Sequence, residues 1–401
     1  MRAGEAVTSR PPVFLFADIR FPSPRANGIQ VVKTAHALAM RGREVRLVVR
    51  HSDPRPTEEI LREFGVDATK HLHVDRLIVG HAPNSSFIPR LRYLSQSVLM
   101  ARRASRHGSL VLTRDLQLAD LLLRIGCDQL TYEAHAVEAV MYDERQQLYG
   151  LGGGPRPAKR RRIESRERRV WSKARGFIAT TQGILTTFER LFGARPRTAV
   201  VPNGCDTPKD RTFTPPSEDN RIVYAGQLYP WKGVDVLVQA FARLTSGQLV
   251  IVGGLEGESD FDRIQELARG LNLGDRIRFL GSLKQKDVAS ELARATVVAA
   301  PFLKSAMTSE HTSPIKAFEA MAAGRPLLIS DTDAAREIVE DGRTGIVVPP
   351  GNVEAWSRAL ERVLSDRALQ MALARAAFEK ATQYSWARRA ERIEEFLGVA
   401  A

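Results

Sequence analysis

A short helix predicted within TSPIKAFEAMAAGRPLLIS, residues 312–330, carries a carboxylate on its apolar face. Ser313 and Pro314 are typical of a helix start, because serine caps the first turn and proline lacks an N–H that would be unpaired there. Helical spacing places Glu319 on the face that such a helix normally buries. A buried carboxylate needs partners, which are either an internal ion pair with Lys316 or the hydrogen-bond donors of a ligand.

A lysine follows a predicted strand in YAGQLYPWKGVDVLVQAF, residues 224–241. The strand ends near Gly226, Lys232 lies on the loop that follows, and an amphipathic helix comes next. An ammonium group at the carboxyl end of a strand can bind a phosphate as a point charge. Lysines are also common on surface loops, so the loop position by itself leaves both interpretations open.

His135, in YEAHAVE, also follows a predicted strand, and a histidine there is either structural or part of an active site. Asp331 and Asp333, in DTD, have a spacing that holds divalent cations in some enzymes. An acidic cap of the next helix is a sufficient explanation for them, so we predict no metal site. The chain contains no GxGxxG after the first strand, no GxxxxGK[ST] and no Ser-His-Asp motif, which argues against dehydrogenase, P-loop and hydrolase functions.

Strands and helices that would position these residues alternate along both halves of the chain. The predicted strands of the first half include VFLFA, EVRLVV, LIVG, SLVLTRD, DQLTYEAH, GFIATT and RTAVVPNG. Those of the second half are RIVYAG, QLVIVGG, RIRFLG, TVVAAP, PLLIS and GIVVPP. This alternation predicts an α/β fold of two doubly wound, Rossmann-like domains with mostly parallel sheets facing a cleft. Ligands of such sheets bind beyond the carboxyl ends of the strands.

A polar, Pro-rich segment, CDTPKDRTFTPPSEDN, separates the two halves and is predicted to be the linker. We therefore predict an N-terminal domain of residues 1–205 and a C-terminal domain of residues 206–380. The final segment, residues 381–401, is predicted to form a helix that crosses back to the N-terminal domain. A length of 401 residues fits two domains.

The composition is 43% hydrophobic and 26% charged residues, which is typical of a soluble globular protein. No apolar run approaches the roughly 20 residues that cross a bilayer, and the N-terminus lacks the apolar core of a signal peptide. The two cysteines lack metal-ligand spacing and indicate a reducing compartment. We therefore expect a cytoplasmic protein.

Positive charge is concentrated in one segment of a chain whose net charge is +13. The segment RPAKRRRIESRERRVWSKAR, residues 156–175, holds ten Lys or Arg against two Glu, and follows a Gly- and Pro-rich stretch predicted to be a loop. We expect a helix from about Ile163 and a patch that contacts an anionic surface such as the inner membrane face. The alternative is a solvated helix face. The predicted patch consists of Arg160, Arg161, Arg162, Arg166, Arg169 and Lys173.

Several motifs in order resemble the nucleotide-binding half of family 4 retaining glycosyltransferases of GT-B fold (glycosyltransferase group 1 type). They are AGQLYPWKGVDVL, LVIVGG, RIRFLGSL, SPIKAFEAMAAGRPLLIS and EIVEDGRTGIVVPPGN. The stretches PRANGIQVVKTAHALAMRGREVRLVV and YEAHAVE are similar to that family's acceptor-side domain. The resemblance covers nearly the whole chain, and its specific motifs are in the second half.

The resemblance implies a hexosyl transfer from a nucleotide diphosphate sugar to an acceptor hydroxyl, with retention of configuration and without a cofactor or metal. The acceptor would be a saccharide or lipid-linked, and nucleic acid is an unlikely partner. The glutamate at Glu319 would bind the ribose hydroxyls, Lys232 the diphosphate, and His135 the donor sugar, and these are the predicted catalytic residues. The predicted donor-binding residues are Gly28, Gly226, Gln227, Lys232, Gly281, His311, Ser313, Pro314, Ile315, Lys316 and Glu319.

Two positions depart from the family pattern. Gln227 stands where the family often has an arginine, and His311 stands where it has the first of two paired glutamates, with Glu310 one place away. Alternatives are therefore a nucleotide-sugar-binding scaffold with weakened catalysis, or a polyanion-binding protein on a GT-B body. A sugar-nucleotide epimerase shares the fold, but its acid and base carboxylates cannot be placed in this sequence.

Overall fold

The computed structural model describes residues 10–23, 25–80, 87–148, 156–207 and 210–398. The Gly-rich stretch before the basic segment, predicted to be a loop, falls mainly on residues 149–155 and so lies outside the described residues. The described chain forms two α/β domains, each built on one parallel sheet, which confirms the predicted fold class.

The N-terminal domain has seven strands and seven helices in the described residues. The strands are β1 Val13–Phe21, β2 Val45–His51, β3 Leu72–Leu77, β4 Leu110–Thr113, β5 Leu130–Ala134, β6 Gly176–Ala179 and β7 Thr198–Val200. The helices are α1 Ala26–Met40, α2 Thr57–Glu63, α3 Phe87–Arg106, α4 Leu116–Arg124, α5 Glu138–Leu148, α6 Pro157–Lys173 and α7 Gln182–Phe192. The sheet order is β3-β2-β1-β4-β5-β6-β7.

The C-terminal domain repeats this arrangement. Its strands are β8 Arg221–Ala225, β9 Gln248–Val252, β10 Ile277–Gly281, β11 Val297–Ala300, β12 Leu327–Ser330 and β13 Ile346–Val348, in the order β10-β9-β8-β11-β12-β13. The helices are α8 Val234–Ala242, α9 Ser259–Gly270, α10 Gln285–Ala293, α11 Ala306–Ser309, α12 Ile315–Ala322, α13 Asp333–Arg336, α14 Val353–Ser365 and α15 Arg367–Lys380. Three short 3-10 helices are Pro230–Lys232, Gly274–Arg276 and Ala381–Tyr384.

Both sheets are buried on their two faces, which is why their strands are nearly continuous runs of Val, Ile, Leu and Ala. In each sheet the strand order reverses beside the first strand of the domain, between β1 and β4 and between β8 and β11. Crevices form at the carboxyl ends of strands at such reversals, and ligands of open α/β sheets bind there. The topology therefore places one crevice in each domain.

The last helix, α16 Trp386–Gly398, packs against α1 rather than against the C-terminal domain. Trp386, Ala390, Ile393 and Leu397 belong to the apolar core of the N-terminal domain. Their spacing of three and four residues forms one apolar stripe on the helix. The chain thus returns to its first domain after completing the second.

Hydrogen bonds from both sides of the cleft hold the two domains together. The Glu144 carboxylate of the N-terminal domain accepts hydrogen bonds from the N–H groups of Ala306 and Met307 at the start of α11. The Glu337 carboxylate of the C-terminal domain accepts from the N–H of Gln182 at 2.9 and 3.0 Å, at the start of α7. Each domain therefore supplies an acidic cap to a helix of the other, which brings their strand ends together.

Candidate active site

A cavity of about 310 Å³ lies between the domains at the carboxyl ends of their strands. The N-terminal domain lines it mainly with Arg25, Asn27, Gln30, Arg114, His135 and Asn203. The C-terminal domain lines it with Gly226, Gln227, Lys232, Gly253, Ser282, Gln285, Phe302, Thr312, Ser313, Pro314, Ile315 and Lys316, among others. Among the described residues that line the cavity, none is an aspartate or glutamate. The cavity therefore favours an anionic ligand.

Lys232 ends a 3-10 turn and contributes its ammonium group to this cavity. Its Nζ lies 4.7 Å from the centroid of the Phe302 ring, and no ion pair involves it within the described part of the chain. Burial lowers the pKa of Lys232 to about 8, so the group remains largely protonated at neutral pH. Gly233, the next residue, has φ +65° and packs so closely against Pro301 that a Cβ would lie 1.9 Å from the Pro301 carbonyl oxygen. The loop is therefore held firmly and presents a positive charge.

Two glycine-containing loops form the floor beside Lys232. The N–H of Gly226 donates to the carbonyl of Val252 at 2.8 Å. A Cβ on Gly253, whose φ is +123°, would lie 1.9 Å from the Gly226 oxygen. Only glycine permits this approach. Gln227 also lines the cavity as predicted, whereas Gly253 was missed, although the Gly-Gly pair that ends LVIVGG was the signal for it.

The helix start at residues 313–316 differs from the prediction in its capping. Pro314 occupies the cap position of α12, and no side chain caps the helix. The Ser313 hydroxyl instead accepts from the N–H of Asn203 at 3.0 Å, and its carbonyl accepts from Asn203 Nδ2 at 2.8 Å. Ser313 therefore joins the domains, because its side chain is turned toward the other domain. The N-terminus of α12 is left facing the cavity, with Ile315 and Lys316 lining it.

Glu319 has internal partners, which was the plainer of the two interpretations. Its Oε2 lies 2.7 Å from Lys316 Nζ, and its Oε1 accepts a hydrogen bond from Gln285 Nε2. The side chain is 13% exposed and borders a second cavity of about 570 Å³, which also contacts Gln285 and Asp206. Gln285 lines both cavities and separates them. The ribose-binding role of Glu319 therefore stays a prediction, and a ligand there would have to replace these partners.

His311 is buried rather than aimed into the cavity. It is 4% exposed, and within the described residues neither ring nitrogen has a hydrogen-bond partner. Burial lowers its pKa to about 4, so the ring is neutral. Glu310 points away toward the N-terminal domain, where its Oε2 accepts from Thr187 Oγ1 at 3.0 Å. The structure therefore places neither residue in the first glutamate's expected position on the cavity wall.

Two of the predicted donor-binding glycines, Gly28 and Gly281, are not among the residues that line the cavity. A Cβ on Gly28, in the first turn of α1, would lie 2.2 Å from the Ser23 carbonyl oxygen, so the close approach of the preceding chain requires glycine there. Gly281, at φ +62°, accepts from the N–H of Gly253 at 2.7 Å and turns the chain toward Ser282. Their neighbours, but not these glycines, line the cavity. The prediction that Gly28 lets the backbone approach a ligand therefore stays a prediction.

His135 lies across the cavity from Lys232 and rests on a buried acid that sequence reasoning missed. His135 Nε2 is 2.7 Å from Glu133 Oε1, which also accepts from Gln30 Nε2 at 3.0 Å. Burial, and then the charge of Arg114, lower the pKa of His135 to about 4. The imidazole is therefore neutral at physiological pH. The signal for Glu133 was its position in YEAH, where one residue separates it from the histidine.

No described residues form a cluster of three or more His, Cys, Asp or Glu suited to a metal ion. In DTD, Asp331 pairs with Arg336 at 2.6 Å. Thr332, not an aspartate, caps α13 by accepting from the N–H of Ala335 at 3.1 Å. The expected acidic cap is therefore replaced by a hydroxyl, and Asp331 has an arginine partner.

The basic segment forms α6 from Pro157, earlier than the predicted start at Ile163, so Arg160 lies on the helix. Arg160 pairs with Asp143 at 2.7 Å and with Glu164 at 2.8 Å. Arg166 and Arg169 both face Asp120, at 3.8 and 2.6 Å. These three arginines are occupied by acids of the helix itself and of neighbouring helices. The members of the patch that remain exposed are Arg161, Arg162 and Lys173.

None of the helices in the described residues is both long and apolar enough to cross a membrane. The model of glycosyl transferases group 1 matches residues 206–380, and that of glycosyltransferase family 4 matches residues 28–209. A D-inositol 3-phosphate glycosyltransferase of Nocardia farcinica is 30% identical over 285 residues, 66% of this chain and 60% of that protein. The chain therefore spans less than two thirds of that relative's length.

Solved structures share the fold across both domains. Sucrose-phosphate synthase from Thermosynechococcus elongatus superposes with a TM-score of 0.75 at 23% identity, covering 96% of this chain and 98% of that chain. Anabaena HepE in complex with UDP-glucose gives 0.73 at 20% identity, covering 97% and 100%. Two family models in succession and these two-domain neighbours lead to one conclusion: the chain belongs to the group 1, family 4 glycosyltransferases and has the GT-B fold.

Proposed function

We propose that the protein transfers a hexosyl unit from a nucleoside diphosphate sugar to an acceptor hydroxyl, with retention of configuration and without a required metal. The observation that carries the proposal is the Lys232 ammonium in a cavity whose described lining includes no carboxylate. The N-terminus of α12 adds its dipole to the same wall. A diphosphate would supply the negative charge that is absent from the described part of this wall.

In the proposed reaction the bond between the sugar and the diphosphate breaks as the acceptor oxygen attacks from the same face. Negative charge grows on the leaving diphosphate, and Lys232 and the α12 N-terminus stabilise it. The departing diphosphate accepts the acceptor proton. We favour this route over a double displacement because the described cavity wall offers no carboxylate nucleophile. His135 would contact the donor sugar from the opposite side.

Two cations on the N-terminal wall support an acceptor that carries a phosphate ester. Arg25 and Arg114 line the cavity, and neither forms an ion pair within the described residues. One relative is named a D-inositol 3-phosphate glycosyltransferase, and one structural neighbour is a sucrose-phosphate synthase. In the proposed complex the nucleotide lies on the C-terminal wall, so a phosphate on the acceptor would compensate the positive charges of Arg25 and Arg114.

The test is a transfer assay with the purified protein. UDP-, GDP-, ADP- and TDP-sugars are first compared by thermal stabilisation, since a ligand at a hundred times its Kd adds about 2.7 kcal/mol. UDP-glucose is the first donor to test because HepE binds it. Each donor is then offered with inositol or D-inositol 3-phosphate, and nucleotide release is measured. If the protein binds a donor but neither transfers nor hydrolyses its sugar, the scaffold is favoured. Salt-sensitive binding to RNA, without donor binding, would favour the polyanion-binding protein.

Glu319→Gln is expected to weaken UDP binding by roughly 1–3 kcal/mol, the scale of hydrogen bonds to a charged group. The physical reason is that two ribose hydroxyls donate better to a carboxylate than to an amide. Isothermal titration with UDP measures the effect. Glu266→Gln, at an exposed glutamate of α9, is the matched control and should bind UDP like wild type. Unchanged UDP affinity in a folded Glu319→Gln protein would exclude the ribose role.

We also propose that the protein associates peripherally with an anionic membrane through α3, which packs on α4, the helix that also contacts α6. The outer face of α3 exposes Leu91 at 55% and Leu99 at 70%, followed by the exposed Arg102, Arg103 and Arg106. Apolar side chains beside arginines are typical of helices that lie in a bilayer interface. A lipid-linked acceptor would then lie near the N-terminal domain.

Co-sedimentation with phosphatidylglycerol vesicles tests this surface. Wild type is expected to bind at low salt and to dissociate at high salt, because screening shortens the reach of the arginines. Leu91→Ser/Leu99→Ser is expected to lower vesicle binding, whereas Leu255→Ser, at a 54% exposed leucine of the other domain, is not. Absence of binding at low salt, or equal binding by all three proteins, would leave a water-soluble acceptor as the better proposal.

A further inference from the structure

The C-terminal helix α16 contributes a buried arginine to the acidic group behind the cavity. The Arg389 side chain is 1% exposed, and its Nη2 donates to Glu133 Oε1. Its Nε donates to Thr34 Oγ1 at 3.0 Å, and its Nη1 donates to the carbonyls of Val201 and Pro202 at 2.7 Å. The guanidinium group is therefore held in one orientation by side-chain and backbone oxygens of the N-terminal domain.

Glu133 receives this guanidinium and the imidazole of His135 on the same oxygen. Burial by itself would raise the pKa of Glu133, but the charge of Arg389, followed by His135 and Arg114, outweighs burial and holds the pKa well below its usual range. An ionised carboxylate only accepts hydrogen bonds. His135 Nε2 must then carry the ring proton, and Nδ1 is the unprotonated nitrogen.

We propose that Arg389 is a positioning residue for the transfer reaction: its pairing with Glu133 sets the tautomer and the orientation of His135. The inference rests on the proposed function, in which His135 contacts the donor sugar. Without the guanidinium, Glu133 is a buried carboxyl that binds a proton and donates a hydrogen bond from its O–H to His135 Nε2, which must then be the unprotonated ring nitrogen. The ring then carries its proton on Nδ1 and presents a donor where it presented an acceptor.

The charged groups that face His135 come from three separate parts of the fold, and only one of them supplies the cation that pairs with Glu133. Glu133 lies on β5, Arg114 follows β4 and Arg389 lies on α16. Arg114 cannot replace Arg389, because Arg114 Nη1 donates to Gln30 Oε1 at 3.0 Å rather than to the carboxylate. The C-terminal helix thus supplies the guanidinium that pairs with Glu133 behind the cavity wall.

Nitrogen-15 NMR of the histidine rings reads the tautomer directly, with His135 assigned by the signals that His135→Gln removes. At pH 7 wild type is expected to carry the proton on Nε2, and Arg389→Gln is expected to shift the population toward Nδ1–H. Arg388→Gln is the matched control, because Arg388 is exposed and pairs with Glu391 at 2.6 Å. A folded Arg389→Gln protein with the wild-type His135 tautomer would overturn the inference.

Turnover provides a second readout. Arg389→Gln is expected to lower kcat by about tenfold to a hundredfold, the scale for a misplaced catalytic group, with UDP affinity near wild type. Arg389→Lys, which retains a cation, should recover part of the loss. In a His135→Gln background, Arg389→Gln should cost no further kcat if it acts through His135, whereas an additive loss would indicate a merely structural role and overturn the inference.

Two further outcomes are separable. If Arg389→Gln does not fold, Glu133→Gln removes the same charge pair from the other side. This variant is expected to shift His135 toward the Nδ1–H tautomer as well. An unchanged tautomer in Glu133→Gln counts against the inference. If wild type transfers no sugar from any donor, the proposed function fails. The NMR comparison still decides whether Arg389 sets the His135 tautomer.

Discussion

Lys232→Ala is expected to lower kcat by about 10²- to 10³-fold, the loss typical of removing one group that stabilises transition-state charge. The effect on nucleoside binding should be small, because the ammonium contacts only the diphosphate in the proposed complex. Transfer kinetics, together with titrations of uridine and of UDP, separate the two effects. Lys304→Ala, at an exposed lysine on the loop after Phe302, is the matched control and should behave as wild type. Equal weakening of uridine and UDP binding would contradict the diphosphate assignment.

The pH dependence of UDP affinity tests the same group independently. Burial lowers the pKa of Lys232 to about 8, and a bound diphosphate would raise it, because the anion favours the ammonium form. The protonated form binds UDP, so affinity is highest below pH 8. It should fall by up to about tenfold per pH unit as pH rises above 8. Titrations between pH 7 and 9.5 should show this decline in wild type and not in Lys232→Ala.

His135→Ala is expected to lower kcat by about a hundredfold while UDP affinity stays within about twofold of wild type. The reason is position: His135 belongs to the wall opposite Lys232 and is placed to contact the sugar rather than the nucleotide. Initial-rate kinetics and UDP titration measure the two quantities. His107→Ala, at an exposed histidine beyond α3, is the control. Loss of both transfer and UDP binding would identify His135 as structural.

The pH profile adds a constraint on this histidine. Burial and Arg114 lower the pKa of His135 to about 4, so the ring stays neutral from pH 5 to 9. The pH profile of wild-type kcat is therefore expected to lack an inflection near the ordinary histidine pKa. The contrary result would be an inflection there in wild type that is absent from His135→Ala. Such an inflection would mean that the imidazole is exposed to solvent in the working enzyme, and that Glu133 and Arg389 do not hold it as the structure shows.

The elements and their order could be predicted from the sequence, because apolar runs and turn residues act over a few neighbouring positions. Strand β8, the loop with Lys232 and helix α8 appear in YAGQLYPWKGVDVL as the structure has them. The parallel sheets followed from strands alternating with helices, since parallel strands need crossover connections. Gly226, Gln227 and Lys232 line the cavity for the same local reason: they follow the end of a strand.

Side-chain partners across the fold could not be predicted, because they depend on distances between segments far apart in sequence. Glu319 has Gln285 and Lys316 as partners, and helical spacing showed only the second. Gly28 faces a nearby carbonyl rather than the cavity, and His311 is buried, although family positions suggested ligand contacts for both. Three arginines of the basic patch are occupied by acids, two of which, Asp120 and Asp143, lie on other helices.

The sequence by itself determined the two parallel-sheet domains and the lysine loop at the end of β8, since each depends on local patterns of burial and turn chemistry. Only the tertiary structure decided that Glu133 lies behind His135 and that Arg389 pairs with it from 256 residues away. The attraction between the two charges and the further hydrogen bonds of Arg389 offset the cost of removing both groups from water. The spacing of Glu133 and Arg389 along the chain does not predict their contact.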